Sequence, residues 1–307
     1  MIKIGCCGYP TSMQRYFRYF KLVEINTTFY QYPRPSTIER WRENAPSDFE
    51  FAVKAHQQIT HKSKMKLEEA SEVAFQRMKE ICRTLNAKVL LFQTPASFKP
   101  EKLETAKRFF AKIKQEDLTI VWETRGSAWE STEVREKLNQ ALKEVGVSHV
   151  VDPFKSSPVY AIHVTYFRLH GLGERLYYYQ YTDSELKQLK SLVEPFLKNG
   201  LEVYVLFNNL AMMQDAIRFK IYLETGNFPR ITAGVGFDSI KEVISRTRFP
   251  VSKNMLLRKL GWRIVEIQEN KQERLDVIIK NLPSKTYKTL EDLLKEIKRS
   301  IESKARI

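Results

Sequence analysis

Apolar positions along the chain come in short runs at intervals, and each run is followed by a helix-period stretch or a loop. Eight runs predict strands: 3–8 (KIGCCG), 22–28 (LVEINTT), 49–55 (FEFAVKA), 88–93 (KVLLFQ), 118–124 (LTIVWET), 147–152 (VSHVVD), 165–170 (TYFRLH) and 202–208 (EVYVLFN). Several are apolar on both faces and rich in Val, Ile and Phe, as a parallel strand covered on both sides should be. Between them, 67–85, 100–114, 129–145, 183–198 and 211–225 show the three-to-four apolar spacing of helices. Ser36 with Glu39 reads as a capping box, Asp183 as an N-cap, and Gly200 and Gly226 as C-terminal stops. Eight strands alternating with helices over roughly 230 residues predict an α/β fold, a TIM-like (β/α)8 barrel. The sixth unit is irregular, because only 153–164 separates two strands. A doubly wound open sheet is the alternative.

Beyond residue 235 the pattern changes. Stretches 238–246, 252–260, 265–280 and 289–304 read as helices, with Gly261 stopping one and Pro283 separating two others. This predicts a barrel over 1–234 and a small all-helical domain over 235–307. The last 73 residues hold 17 Lys and Arg against 10 Asp and Glu. That surplus fits either a nucleic-acid or partner contact or a solvated domain packed on the barrel.

The whole chain of 307 residues carries 51 Lys and Arg against 36 Asp and Glu, a formal +15, which favours an anionic partner. A Lys- and Glu-rich surface is also what heat-adapted proteins carry. Three cysteines exclude a disulfide framework, and Cys6 and Cys7 are too close together for a zinc pair. No apolar run approaches the ~18 residues of a membrane helix, and the chain enters its first strand with no signal peptide. The expectation is an intracellular, cytoplasmic protein with no membrane partner.

In such a barrel the active site gathers at the carboxyl ends of the strands. The second strand ends in Glu24, Asn26 and Thr28, spaced by two and so expected to face one side. The third ends in Lys54, followed by a loop with His56, His61, Lys62, Lys64 and Lys66. Gln93 ends the fourth, Glu123 and Arg125 the fifth, and Asp152 the sixth. Arg168 and His170 lie on the seventh, and the eighth offers Tyr204 and Asn208. Inward charges could satisfy one another as a closed ionic network. Convergence from six or seven strands points instead to a site. Its mixture of cations and carboxylates suits an anionic, oxygen-rich ligand. Glu24 and Glu123 could act as base and acid, or hold one Mg or Mn ion beside His170 and Asp152. The five histidines form no H-x-H or H-x-x-x-H pair, which argues against a multi-zinc centre.

Other signals are weaker. Cys7 reads as a nucleophile only with a base nearby, and otherwise as a small buried side chain. The run Tyr177-Tyr178-Tyr179-Gln180-Tyr181 could stack on unpaired bases or plug a loop onto the barrel rim. A P-loop, a dinucleotide fingerprint and a Ser-His-Asp elbow are absent from the sequence.

Five of these segments resemble, in order, the motifs of the YecE-like family, domain of unknown function 72. They are Glu24-Ile25-Asn26-Thr27-Thr28-Phe29-Tyr30; Phe51-Ala52-Val53-Lys54-Ala55 with Ile59-Thr60-His61; Phe92-Gln93-Thr94-Pro95-Ala96-Ser97-Phe98-Lys99; Tyr166-Phe167-Arg168-Leu169-His170-Gly171; and Val203 to Asn209. Three departures stand out: Tyr9 where the family usually has tryptophan, a short loop after the first strand, and no histidine after Arg125. The resemblance implies a TIM-like barrel with a polar cluster at the strand carboxyl ends, and it supplies no established reaction. The family has been likened to barrel endonucleases of the xylose-isomerase-like superfamily. The segment from Phe249 to Tyr287 resembles a second family without assigned activity, domain of unknown function 2795.

The reading that follows is a candidate hydrolase acting on nucleic acid, cutting a phosphodiester or processing a damaged strand. Glu24, Glu123 and His170 would be catalytic. Asn26, Lys54, His61, Gln93, Arg125, Arg168, Tyr204 and Asn208 would bind substrate. The alternatives are a barrel enzyme for a phosphorylated or acidic small molecule, and a non-catalytic module that binds nucleic acid or another partner.

Overall fold

The parallel strands expected from two-sided apolar runs form, and they close on themselves. The computed structural model describes residues 1–113 and 117–304. Its strands β1 (Ile2–Cys7), β2 (Leu22–Ile25), β3 (Glu50–Lys54), β4 (Val89–Gln93), β5 (Thr119–Glu123), β6 (Ser148–Val151), β7 (Val164–Leu169) and β8 (Glu202–Phe207) pair in sequence order. β8 returns to β1 in parallel, with Gly5 opposite Leu206, so the sheet is a closed barrel and not an open one. β4 shows why the apolar runs are continuous. Phe92 faces out against Phe109 and Phe110, while Val89 and Leu91 face in with Cys7, Leu22, Ala52, Val121, Val150, Tyr166 and Leu206. Where β1 meets β2, a side chain on Gly5 would press to 2.4 Å from the Leu22 carbonyl oxygen, so only glycine fits there.

Helices α1 (Met13–Phe17), α2 (Thr27–Tyr30), α3 (Pro35–Asn44), α4 (Glu69–Leu85), α5 (Leu103–Ile113), α6 (Thr132–Val145), α7 (Asp183–Lys198) and α8 (Met212–Thr225) follow the strands. The connection from β6 to β7 carries turns and no helix, as its length predicts. The end of the helix expected over 100–114 lies outside the described residues. Several helix starts differ from expectation. α3 begins at Pro35 after Arg34, with no side-chain cap, so Ser36 and Glu39 form no capping box. The box occurs instead at Glu68 and Ser71, ahead of α4. Thr182, not Asp183, caps α7, exchanging hydrogen bonds with Glu185. Gly226 ends α8 in the left-handed conformation, as predicted.

The chain divides into two compact units: Met1–Leu169 with Leu189–Asn208, which holds the barrel, and His170–Gln188 with Asn209–Ile307. The second unit has its own core of Ile240, Ile244, Leu256, Val265, Leu275, Ile279, Leu293 and Ile297. It contains α9 (Phe237–Ile244), β9 (Val251–Ser252), α10 (Lys253–Leu260), β10 (Ile264–Gln268), β11 (Lys271–Arg274), α11 (Leu275–Ile279), β12 (Thr286–Tyr287) and α12 (Leu290–Lys304). It is mainly helical, with two small antiparallel pairs, β10 with β11 and β12 with β9. The single helix expected over 265–280 is thus a hairpin followed by a short helix. Asn270, at φ 60°, turns the chain there, and the apolar residues Ile264 and Val265 are strand-buried. Among the described residues no helix is long and apolar enough to cross a membrane.

Candidate anion site at the barrel mouth

Period-two alternation carries inward-facing polar residues to the carboxyl ends of β2, β3, β4, β5 and β7. At the centre lies Arg168, from β7, with a side chain only 1% exposed. Its Nε and one terminal nitrogen donate to Glu24 Oε2 (2.9 Å) and Oε1 (2.8 Å), and the other donates to Glu123 Oε2 (2.5 Å). The Tyr166 hydroxyl adds a bond to Glu24 Oε2 at 2.9 Å, and Arg125 Nε donates to Glu123 Oε1 at 2.7 Å. Burial alone would raise the Glu24 carboxyl, but Arg168, then Lys54 and Tyr166, outweigh it and hold it below its ordinary range. Burial likewise works against the Arg168 charge, and Glu24 and Glu123 more than reverse it. The result is a locked, ionised floor.

Lys54 lies above that floor. Its Nζ donates to Gln93 Oε1 at 2.8 Å and sits 4.1 Å from the centre of the Phe29 ring on α2. Among the described residues it forms no ion pair, although two carboxylates are near enough to influence it. Arg168 occupies them. Burial, then repulsion from Arg168, brings the Lys54 amine down to about 8, with Glu24 and Glu123 pulling the other way. His61 lies in a π-helical turn (Gln58–Lys62), with its ring edge-on to Phe29 at 4.9 Å and Nδ1 2.9 Å from Thr60 Oγ1. Burial, then the charges of Lys54 and Arg125, lower its pKa, so it stays a neutral imidazole at pH 7. Lys54 is 7% exposed and the Arg125 side chain 27%. Lys54, His61, Gln93 and Arg125 therefore form one cationic edge over the floor.

Several expectations need correction. Glu24, fully buried with both oxygens on Arg168, has no lone pair directed at a substrate, and Glu123 is spent on Arg168 and Arg125. Neither is a general base or metal ligand in this arrangement; both position the cations. Arg168 itself is enclosed and cannot clamp a ligand. Among the described residues no group of three or more His, Cys, Asp or Glu side chains is placed to hold a metal, so the donor set does not suit the Mg or Mn ion considered from sequence. Asn26 does not continue the strand: its backbone is helical (φ −93°, ψ −19°), and the Thr28 hydroxyl, inside α2, donates to the Lys54 carbonyl at 2.7 Å. Tyr204 belongs to the opposite end of the barrel, where its hydroxyl bonds Glu50 and meets Lys3 Nζ at 3.0 Å.

Asn208 is half-buried at the end of β8, where its N–H donates to the Leu169 carbonyl at 2.8 Å. His170 opens the second unit, where its ring lies 5.8 Å from that of Tyr177. Asp152 Oδ1 accepts from the Phe154 N–H at 3.2 Å and so shapes its own loop. Cys7 is buried beside Glu24, and burial, then that negative charge, pushes its thiol well up, which removes it as a nucleophile. Phe29 and Tyr166 were missed as parts of the site. Their position within the motifs that carry Glu24 and Arg168 was the available signal.

The sequence model of a family described as "Protein of unknown function DUF72" matches residues 7–226. The UPF0759 protein YecE of Escherichia coli K12 is 30% identical over 152 residues, covering 49% of this chain and 54% of that protein. The chain thus spans about half the length of the YecE proteins it matches. The UPF0759 protein YunF of Bacillus subtilis is 25% identical over 250 residues, 68% of this chain and 89% of that protein. A crystal structure of a DUF72 family protein from Enterococcus faecalis V583 superposes with a TM-score of 0.61 at 24% identity, covering 73% of this chain and 98% of that one. That likeness supports the barrel fold.

Proposed function

The chain belongs to the DUF72 family of proteins of unknown function, and we propose that it acts on nucleic acid through the cationic edge of its barrel mouth. The observation that carries this reading is Lys54, an almost buried amine whose neighbouring carboxylates are both held by Arg168. An anion arriving from solvent supplies the missing countercharge. Lys54 and Arg125 would each take a phosphate oxygen, with Gln93 holding the lysine in place. His61, neutral and close by, would accept a proton from an attacking water, a role given to Glu24 or Glu123 from sequence alone. The reaction class is hydrolysis of a phosphodiester or processing of a damaged strand. The formal +15 of the chain supports a polyanionic substrate and predicts affinity that falls steeply with salt.

The test is binding and cleavage of labelled single- and double-stranded DNA and RNA at low salt, with and without Mg or Mn. Binding that weakens in Lys54→Gln supports the proposal; no binding or cutting of any of the four substrates refutes it. The nearly buried position of Lys54 also suits a second reading, a phosphorylated small molecule. Thermal stabilisation by such a compound, without nucleic-acid binding, would select it.

A further inference from the structure

The second unit carries a cavity of about 590 Å³ that the barrel mouth does not account for. This lies within the roughly 300–1,000 Å³ of ligand sites. One wall is the loop after β7, and the other is α10 with its C-terminal turn and α11. The tyrosine run of that loop divides its labour. Tyr179 and Tyr181 are buried: the Tyr179 carbonyl accepts from Asn209 Nδ2, and the Tyr181 hydroxyl accepts from the Gly171 N–H. Tyr178, just before them, lines the cavity half-exposed.

Trp262, just past α10, meets Tyr178 edge-on, with ring centres 6.3 Å apart and planes at 88°. Its Nε1 is fixed on the Lys259 carbonyl at 2.8 Å, so the ring is held in one orientation while half-exposed. Beside this aromatic corner stand two guanidinium groups. The guanidinium carbon of Arg175 lies over the Tyr178 ring, 3.1 Å from its centre, and the group donates to the Arg258 carbonyl at 3.0 Å. The guanidinium of Arg258, exposed on α10, donates to the Met255 sulfur at 3.3 Å. Among the described residues neither arginine forms an ion pair, unlike Lys280 at the same cavity, which is neutralised by Asp276 at 2.5 Å.

A fixed, accessible indole beside two uncompensated guanidinium forks is the chemistry that takes a flat heteroaromatic ring together with an adjoining anion. We infer that this cavity binds an unpaired nucleotide of single-stranded nucleic acid, its base stacked on Trp262 and its flanking phosphates on Arg175 and Arg258. The inference rests on the nucleic-acid reading of the protein and adds a second, separate contact for the strand.

The two kinds of contact leave different marks, which the experiment uses. Fluorescence anisotropy with a labelled ten-residue oligo-dT is measured from low to moderate salt for the whole chain and three variants. Trp262→Ala is expected to weaken binding about tenfold at every salt concentration, because stacking is insensitive to salt. Arg175→Ala/Arg258→Ala, both surface changes, is expected to make the log–log salt slope shallower by about 1.4, the value for two lost phosphate contacts on a single strand. Trp262→Phe keeps an aromatic face and is expected to retain most of the affinity, which separates stacking from misfolding. Adenosine monophosphate should compete weakly with the strand. If the wild-type chain binds the oligonucleotide and none of the variants differs from it, this inference falls while the barrel-mouth reading stands. If the wild-type chain does not bind at all, both fall.

Discussion

Replacing Arg168 with methionine tests the ionic floor. The guanidinium makes three charge-assisted bonds, at 2.9, 2.8 and 2.5 Å, to two carboxylates. At about 1.5–3 kcal/mol each, these bonds give an upper bound of about 9 kcal/mol. Desolvation of the arginine offsets part of that. The substitution leaves Glu24 fully buried with the Tyr166 hydroxyl, the Cys7 thiol and the Lys54 charge in place of the guanidinium, whereas Glu123 keeps Arg125. Removing one partner of a buried pair destabilises by about 3–5 kcal/mol, a large share of the roughly 5–15 kcal/mol that holds a domain together. The effect should depend on pH. In the native protein Glu24 is depressed, so its contribution is present above the ordinary carboxylate pKa and lost as pH falls. In the variant burial raises the same group, so the folded state favours the protonated acid and the penalty fades on acidification. Urea unfolding followed by tryptophan fluorescence, to which Trp41, Trp122 and Trp129 of this unit contribute, should show the full loss at pH 7.5 and a smaller one at pH 5. Arg168→Met/Glu24→Gln should recover at least half of it. A loss below about 1 kcal/mol at pH 7.5, or an equal loss at pH 5, would refute the reasoning.

Two further outcomes follow from the same geometry. Because Lys54 loses its proton at about 8, affinity for an oligonucleotide should fall between pH 7 and pH 9, and Lys54→Gln should flatten that profile; an unchanged profile in the variant would exclude Lys54 from the contact. Tyr204→Phe removes a buried hydroxyl from the Lys3, Glu50 and Glu202 cluster at the amino-terminal end of the barrel, so it should lower stability by about 1–2 kcal/mol and leave nucleic-acid affinity unaltered.

Much of the barrel is legible from periodicity, since runs such as VLLFQ must be covered on both faces. The same alternation singled out Glu24, Lys54, Gln93, Glu123 and Arg168, which do converge. It failed at Asn26, because the chain leaves the strand at Ile25 and coils into α2, a turn that spacing by two cannot register. It also misplaced Tyr204. Alternation shows which way a side chain faces, but height along the barrel depends on where the strand begins, and β8 begins only two residues earlier. Above all, the roles of the carboxylates were out of reach. Whether Glu24 serves chemistry or holds a cation depends on an arginine 144 positions away. In the second unit, the short apolar segment around Val265 fits a helix or a strand equally well, and the turn at Asn270 decides it.

The Arg168 clasp joins strands from the beginning, middle and end of the barrel sequence. A growing chain carries Glu24 and Glu123 long before residue 168 leaves the ribosome. The clasp is complete only once the seventh strand has been made, one strand before β8 pairs with β1 and shuts the ring.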